Sequence, residues 1–115
     1  VLRPTWLPEE MTMREQVEGD TVSMGFTPAE SASGAALTLV QRPTVGEEAA
    51  MTDPQASTEQ IGPYTVTVIR RGAEGCVTYL WEANGLSLTL TNVYDPPGTL
   101  KYSCEQMGQI VAGVR

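Results

Sequence analysis

The sequence predicts an α+β fold, a curved antiparallel sheet of about five or six strands with a C-terminal amphipathic helix packed on one face. Three observations predict it. Large side chains alternate with small or polar ones in several short segments, Asn84-Gly85 stands between two of them, and near the C terminus apolar residues recur at steps of three and four.

Residues 4–10 hold two prolines that keep the backbone extended, so this opening segment is expected to dock Trp6 and Leu7 on the core. Residues 20–26 alternate Val22, Met24 and Phe26 with small or polar residues, the period of a half-buried strand that Thr27-Pro28 ends. Ala35 to Gln41 repeats the pattern with Leu37 and Leu39, and the two segments are expected to form a hairpin. Residues 43–63 are poor in large apolar side chains and rich in Glu, Ala, Thr, Ser and Gln, which predicts a long acidic loop touching the core through Val45, Met51 and Ile61.

Residues 64–71 are dense in β-branched types and predict a further strand. Residues 72–75 then turn the chain. Strands over 76–83 and 86–93 follow, joined by Asn84-Gly85, a pair in which both residues tolerate the positive φ of a type I′ turn. A two-residue turn sets Ala83 against Leu86, Trp81 against Leu88, Tyr79 against Leu90 and Val77 against Asn92, which makes one face of this hairpin apolar. Asp95-Pro96-Pro97-Gly98 breaks the strand. Thr99 is placed to cap a helix whose buried stripe is Leu100, Cys104, Met107, Val111 and Val114.

The 115 residues suffice for one hydrophobic core, so the whole chain, 1–115, is expected to form a single domain. Net charge is −7 and uneven, with ten acids against three bases in residues 1–60 and four of each in residues 61–115. Such a surface repels phosphate backbones and anionic lipid head groups, which argues against nucleic acid or a membrane surface as partner. No run approaches the roughly 18 to 20 apolar residues of a membrane span. The chain starts with Val1 rather than Met, as a processed protein or an excised domain does, so an anchor can lie outside it.

Cys76 and Cys104 are the two cysteines, 28 positions apart. They form either one disulfide, which implies an oxidising compartment, or two buried thiols acting as small apolar residues. The strand register bears on the choice. Cys76 alternates with Val77 and so points away from Tyr79 and Trp81, whereas Cys104 lies on the buried stripe of the helix. A bridge therefore requires the helix to reach the sheet edge, or the start of the strand to twist or bulge.

Residues able to carry chemistry are scarce. The sequence has no histidine, which eliminates Ser-His and Cys-His nucleophile arrangements and His-bearing zinc sites. The glycines do not form a phosphate-binding loop, and two distant cysteines do not match zinc or thioredoxin-type spacings. Glu82, Asp95 and Glu105 could serve an acid–base pair only if they converged in a cleft; solvated surface acids are the simpler reading. Arg70-Arg71 reads as charge that discourages edge-to-edge aggregation. No catalytic, cofactor-binding or metal-binding residue is assigned, and the chain is expected not to be an enzyme. Tyr79, Trp81, Leu88, Leu90 and Met107 are the candidate lining of an apolar groove between sheet and helix.

The order of features resembles the bacterial DUF4367 family of extracytoplasmic domains. The resembling pieces are Trp6-Leu7-Pro8-Glu9, the strand end Leu37-Thr38-Leu39-Val40-Gln41, the W-x-x-N-G hairpin Trp81-Glu82-Ala83-Asn84-Gly85 with Leu86 to Leu90, and the closing amphipathic helix. The sequence departs from the family in carrying Glu10 where a glycine commonly follows Pro-Glu, and its two cysteines are not a family hallmark. The resemblance implies an exported domain of a membrane-anchored regulator or lipoprotein, secreted, periplasmic or at the cell surface, whose sheet is of the kind found in lipoprotein carriers and envelope-stress regulators. It brings no catalytic residues. The expected function is a non-catalytic sensory or protein-interaction domain with a protein or envelope component as partner. The alternative is a carrier holding a lipid or other apolar ligand in the groove.

Overall fold

The computed structural model describes residues 2–29, 36–44, 56–70, 75–92 and 102–115. Among these residues seven strands form one open antiparallel sheet. They are β1 (Met11–Glu18), β2 (Thr21–Pro28), β3 (Leu37–Pro43), β4 (Ala56–Ile61), β5 (Tyr64–Arg70), β6 (Cys76–Ala83) and β7 (Leu86–Asn92), followed by helix α1 (Cys104–Ala112). The spatial order β1-β2-β3-β7-β6-β5-β4 consists of two meanders that meet where β3 pairs with β7.

The predicted strand count of five or six is too low, because both edge strands escaped the sequence reading. β4 falls inside the segment predicted as a loop over 43–63, of which residues 45–55 lie outside the described residues. Ser57 to Gln60 are polar on both faces and none of the strand's residues is fully buried, so it carries no apolar alternation. β1 does alternate Met11, Met13 and Val17 with polar residues, but Glu15 interrupts the apolar face and all of the strand except Met11 is exposed. An edge strand beyond the covered part of a sheet needs little hydrophobic signal, since its ladder bonds hold it.

The cross-strand rows explain the two faces. One row runs Glu15, Met24, Leu39, Leu90, Tyr79, Val68 and Ser57, and from Met24 to Val68 it is buried. The next row, on the opposite face, runs Gln16, Ser23, Val40, Thr89, Leu80, Thr67 and Thr58. The apolar face is closed by α1 and by the segment before β1. Met107, Ile110, Val111 and Val114 are fully buried there, as is Leu2 for the most part. Ile110 is an addition to the predicted stripe, while Leu100 and Thr99 lie outside the described residues. The helix starts later than expected: Ser103 is its N-cap, its hydroxyl accepting from Gln106 N while Gln106 Oε1 accepts from Ser103 N.

The predicted hairpin register holds at Ala83–Leu86, Trp81–Leu88 and Tyr79–Leu90, and the turn residues Asn84 and Gly85 have φ of 52° and 76°. The Val77–Asn92 pairing does not hold; the ladder to β7 begins at Thr78, and Asn92 donates its amide to Cys76 O and Tyr102 O. Docking of Trp6 is also corrected. Its side chain is 40% exposed, while Leu7 is half-buried against the core.

Candidate functional site

The disulfide forms, with Sγ atoms 2.08 Å and Cα atoms 5.1 Å apart. The geometry resolves the register conflict through a bulge. Ile69 faces Thr78 but Arg70 faces Cys76, so Val77 is an extra residue on β6. The insertion turns Cys76 onto the buried face with Tyr79 and Trp81, where the first residue of α1 meets it. Tyr79 reinforces the same junction by donating its hydroxyl to Cys104 O at 3.0 Å. Burial pushes the Tyr79 hydroxyl up to about 12, with Glu59 adding to the rise and Arg70 opposing it. A disulfide is compatible with an oxidising, extracytoplasmic location.

The five groove candidates do come together, but as packing. Tyr79, Trp81, Leu88, Leu90 and Met107 are all buried in the core, and their side chains occupy the space between sheet and helix that a carried ligand would need. Trp81 stacks at a tilt on Tyr64, with ring centroids 6.1 Å apart, and its buried Nε1 has no hydrogen-bond partner among the described residues. Tyr64 in turn donates to Val114 O at 2.7 Å, tying β5 to the C terminus.

Among the acids considered for chemistry, Glu82 and Glu105 are both exposed, Glu82 on a strand and Glu105 on the helix, and Asp95 lies outside the described residues. Among the described residues no group of three or more His, Cys, Asp or Glu is arranged to hold a metal ion. Arg70 is not an edge residue as expected, because β4 pairs outside β5; it donates to Ser57 Oγ at 2.7 Å and to Glu59 Oε2 at 2.8 Å. Arg71 lies outside the described residues.

The sheet face opposite the helix carries a feature that the apolar pattern of the sequence does not mark. A depression of about 970 Å³ opens over β3, β7, β6 and β5. Its wall carries the hydroxyls of Thr21, Thr65, Thr67, Ser87 and Thr89 and the apolar Val40 and Leu80. Arg42 lies directly across from Ser87 and Ser87 across from Glu82, so one cation and one anion flank a serine in a single row. Ser87 Oγ also lies 3.0 Å from Thr44 Oγ1. Threonine at alternate positions of central strands was the available signal: it suits a β backbone while presenting a hydroxyl outward. A face of this kind offers donors and acceptors of both kinds, flat apolar contact and two opposite charges, which suits an extended polar chain better than a hydrocarbon. Of the five groove candidates only Trp81 and Leu88 reach this depression.

Comparison with known proteins finds no matching family model, no matching curated protein and no matching solved structure.

Proposed function

We propose that this chain is a non-catalytic extracytoplasmic domain, sensory or protein-binding, that receives a protein segment or envelope component on the hydroxyl-lined face of its sheet. The observation that carries the reading is the division of labour between the two faces. One is sealed by α1, the N-terminal segment and the Cys76–Cys104 bridge, and the other carries the depression with Arg42 and Glu82 exposed on its wall. The resemblance of the W-x-x-N-G hairpin to DUF4367 domains supports export, as does the disulfide. Among the described residues no helix is long and apolar enough to cross a membrane, so attachment to an envelope would come from a part of the protein other than these residues.

The reading is tested by placing a photo-crosslinking side chain at Thr89, in the depression, or at Gln109, exposed on α1, in cells producing the protein. A specific adduct from position 89 and none from position 109, recovered outside the cytoplasm, is the expected result. A cytoplasmic protein, or equal adducts from both positions, overturns it.

A further inference from the structure

The edge strand β1 is unusual for its length and exposure. It runs eight residues without proline, glycine or register shift, and among the described residues no strand pairs with its outer side. Glu10 O accepts from Ala29 N, so even-numbered residues of this stretch turn their backbone groups to β2; the odd-numbered Met11, Met13, Glu15 and Val17 turn theirs outward. Met13 and Val17 are 44% and 67% exposed, on the same face as the buried Phe26 and Met24. The other edge is different: β4 is shorter, Arg70 holds its Glu59, and α1 packs against it. β1 is thus a free pairing edge with an apolar margin, a combination that proteins ordinarily blunt.

Its charges select what can pair with it. Extending a sheet across a twofold axis keeps each face continuous, so opposed residues share parity and the axis passes through one residue. An axis through Arg14 or Glu15 sets that charge against itself. An axis through Met13 sets Arg14 against Thr12 and leaves both Arg14 and Glu18 without an opposite charge, while one through Val17 leaves only residues 16–18 of the strand paired. An axis through Gln16 sets Arg14 against Glu18 twice, Gln16 against Gln16, and Met13 over Gly19, where the space a Cβ would take has no atom within 4 Å. Val17 then lies beside Glu15, whose charge Arg3 already holds at 3.0 Å.

We infer that β1 pairs antiparallel with β1 of a second copy of this chain about a twofold axis through Gln16, Arg14 of each copy meeting Glu18 of the other. The row of side chains from Thr58 to Gln16 then continues into the second copy, and both depressions open on the same side of one continuous sheet. No residue of β1 lines the depression, so the dimer stands or falls independently of the proposed function.

Sedimentation velocity across about 1 to 500 µM measures the association, with circular dichroism confirming that each exposed-site variant stays folded. The expected result is a dimer that Arg14→Glu or Glu18→Arg each weakens by about tenfold, since each change spoils two symmetric contacts, and that the double variant R14E/E18R restores. Gln16→Cys, oxidised after folding, is expected to give a covalent dimer, because residues opposed in a non-hydrogen-bonded pair have Cα atoms about 4.5 Å apart. Thr12→Cys is expected not to. A monomer throughout the range, a dimer indifferent to the reversals, or a double variant no better than the singles overturns the inference, as does pairing of β1 with a different protein and not with itself.

Discussion

The side-chain amide of Gln41 pairs with both backbone groups of Leu2: Leu2 N donates to Gln41 Oε1 at 2.8 Å, and Gln41 Nε2 donates to Leu2 O at 2.7 Å. Gln41 is buried in β3 and so stands in for a strand, satisfying the N-terminal segment where it crosses the apolar face. Two further links hold that segment. Arg3 exchanges both backbone hydrogen bonds with Arg115, and Thr5 N donates to Gly113 O. The two chain ends thus close the core together.

Replacing Gln41 with Leu keeps the volume apolar but leaves the Leu2 N–H and C=O buried without partners. The expected cost is about 2 to 3 kcal/mol, read by urea denaturation at neutral pH. A cost under about 0.5 kcal/mol would show that the N-terminal segment does not depend on this pairing.

Removing the Cys76–Cys104 bridge by the double change to serine is expected to lower stability by about 3 to 4 kcal/mol, because the unfolded chain regains the freedom of the loop it closes. Hydrogen exchange should show the loss concentrated in α1, whose first residue the bridge anchors. Uniform loosening of the sheet would contradict the assignment of the bridge as the helix's tether.

The Tyr79 hydroxyl has its pKa raised to about 12 by burial, so in the unfolded chain it ionises first. Its contribution to stability is complete below pH 10 and is lost as pH rises toward 12, by on the order of 2 kcal/mol. Tyr79→Phe should flatten the fall in stability over that window. Parallel pH profiles for the two proteins would refute the shift.

Gly62 and Gly19 both adopt positive φ, but only Gly62 is crowded, with the site of its missing Cβ 3.2 Å from Ala112 Cβ. Gly19→Ala is expected to cost about 1 kcal/mol for backbone strain alone. Gly62→Ala adds pressure on the end of α1 and should cost about 2 kcal/mol or more. Thermal unfolding of the two variants makes the comparison, and equal losses would mean that the turn between β4 and β5 yields without disturbing the helix.

The central strands, and the register of the β6–β7 hairpin from Tyr79 to Leu90, were legible because each has one covered face, and a one-residue slip would move every apolar side chain of Trp81, Tyr79, Leu88 and Leu90 to the wrong side. The candidate site was less legible. The large aromatic and aliphatic residues expected to line a groove form the core instead, and the threonines of β5 and β7, which carry no apolar signal, line the depression. Hydroxyl residues at alternate positions look the same in sequence whether they face bulk water or a shared cavity. Only the strand order distinguishes the two cases.

By itself the sequence determined the local structure that depends on near neighbours: the Asn84-Gly85 turn, the alternation of β2, β3, β5 and β7, and the helical stripe through Met107 and Val111. The tertiary structure decided what depends on residues distant in the chain. It brought β3 beside β7, added β1 and β4 at the edges, and placed Arg42 and Glu82 on either side of Ser87. It also decided the disulfide, because one extra residue at Val77 turns Cys76 to the helix. The physical reason is common to all of these: alternation and turn preference are written in adjacent residues, whereas strand order and a bulge are set by which pairings bury the shared apolar face.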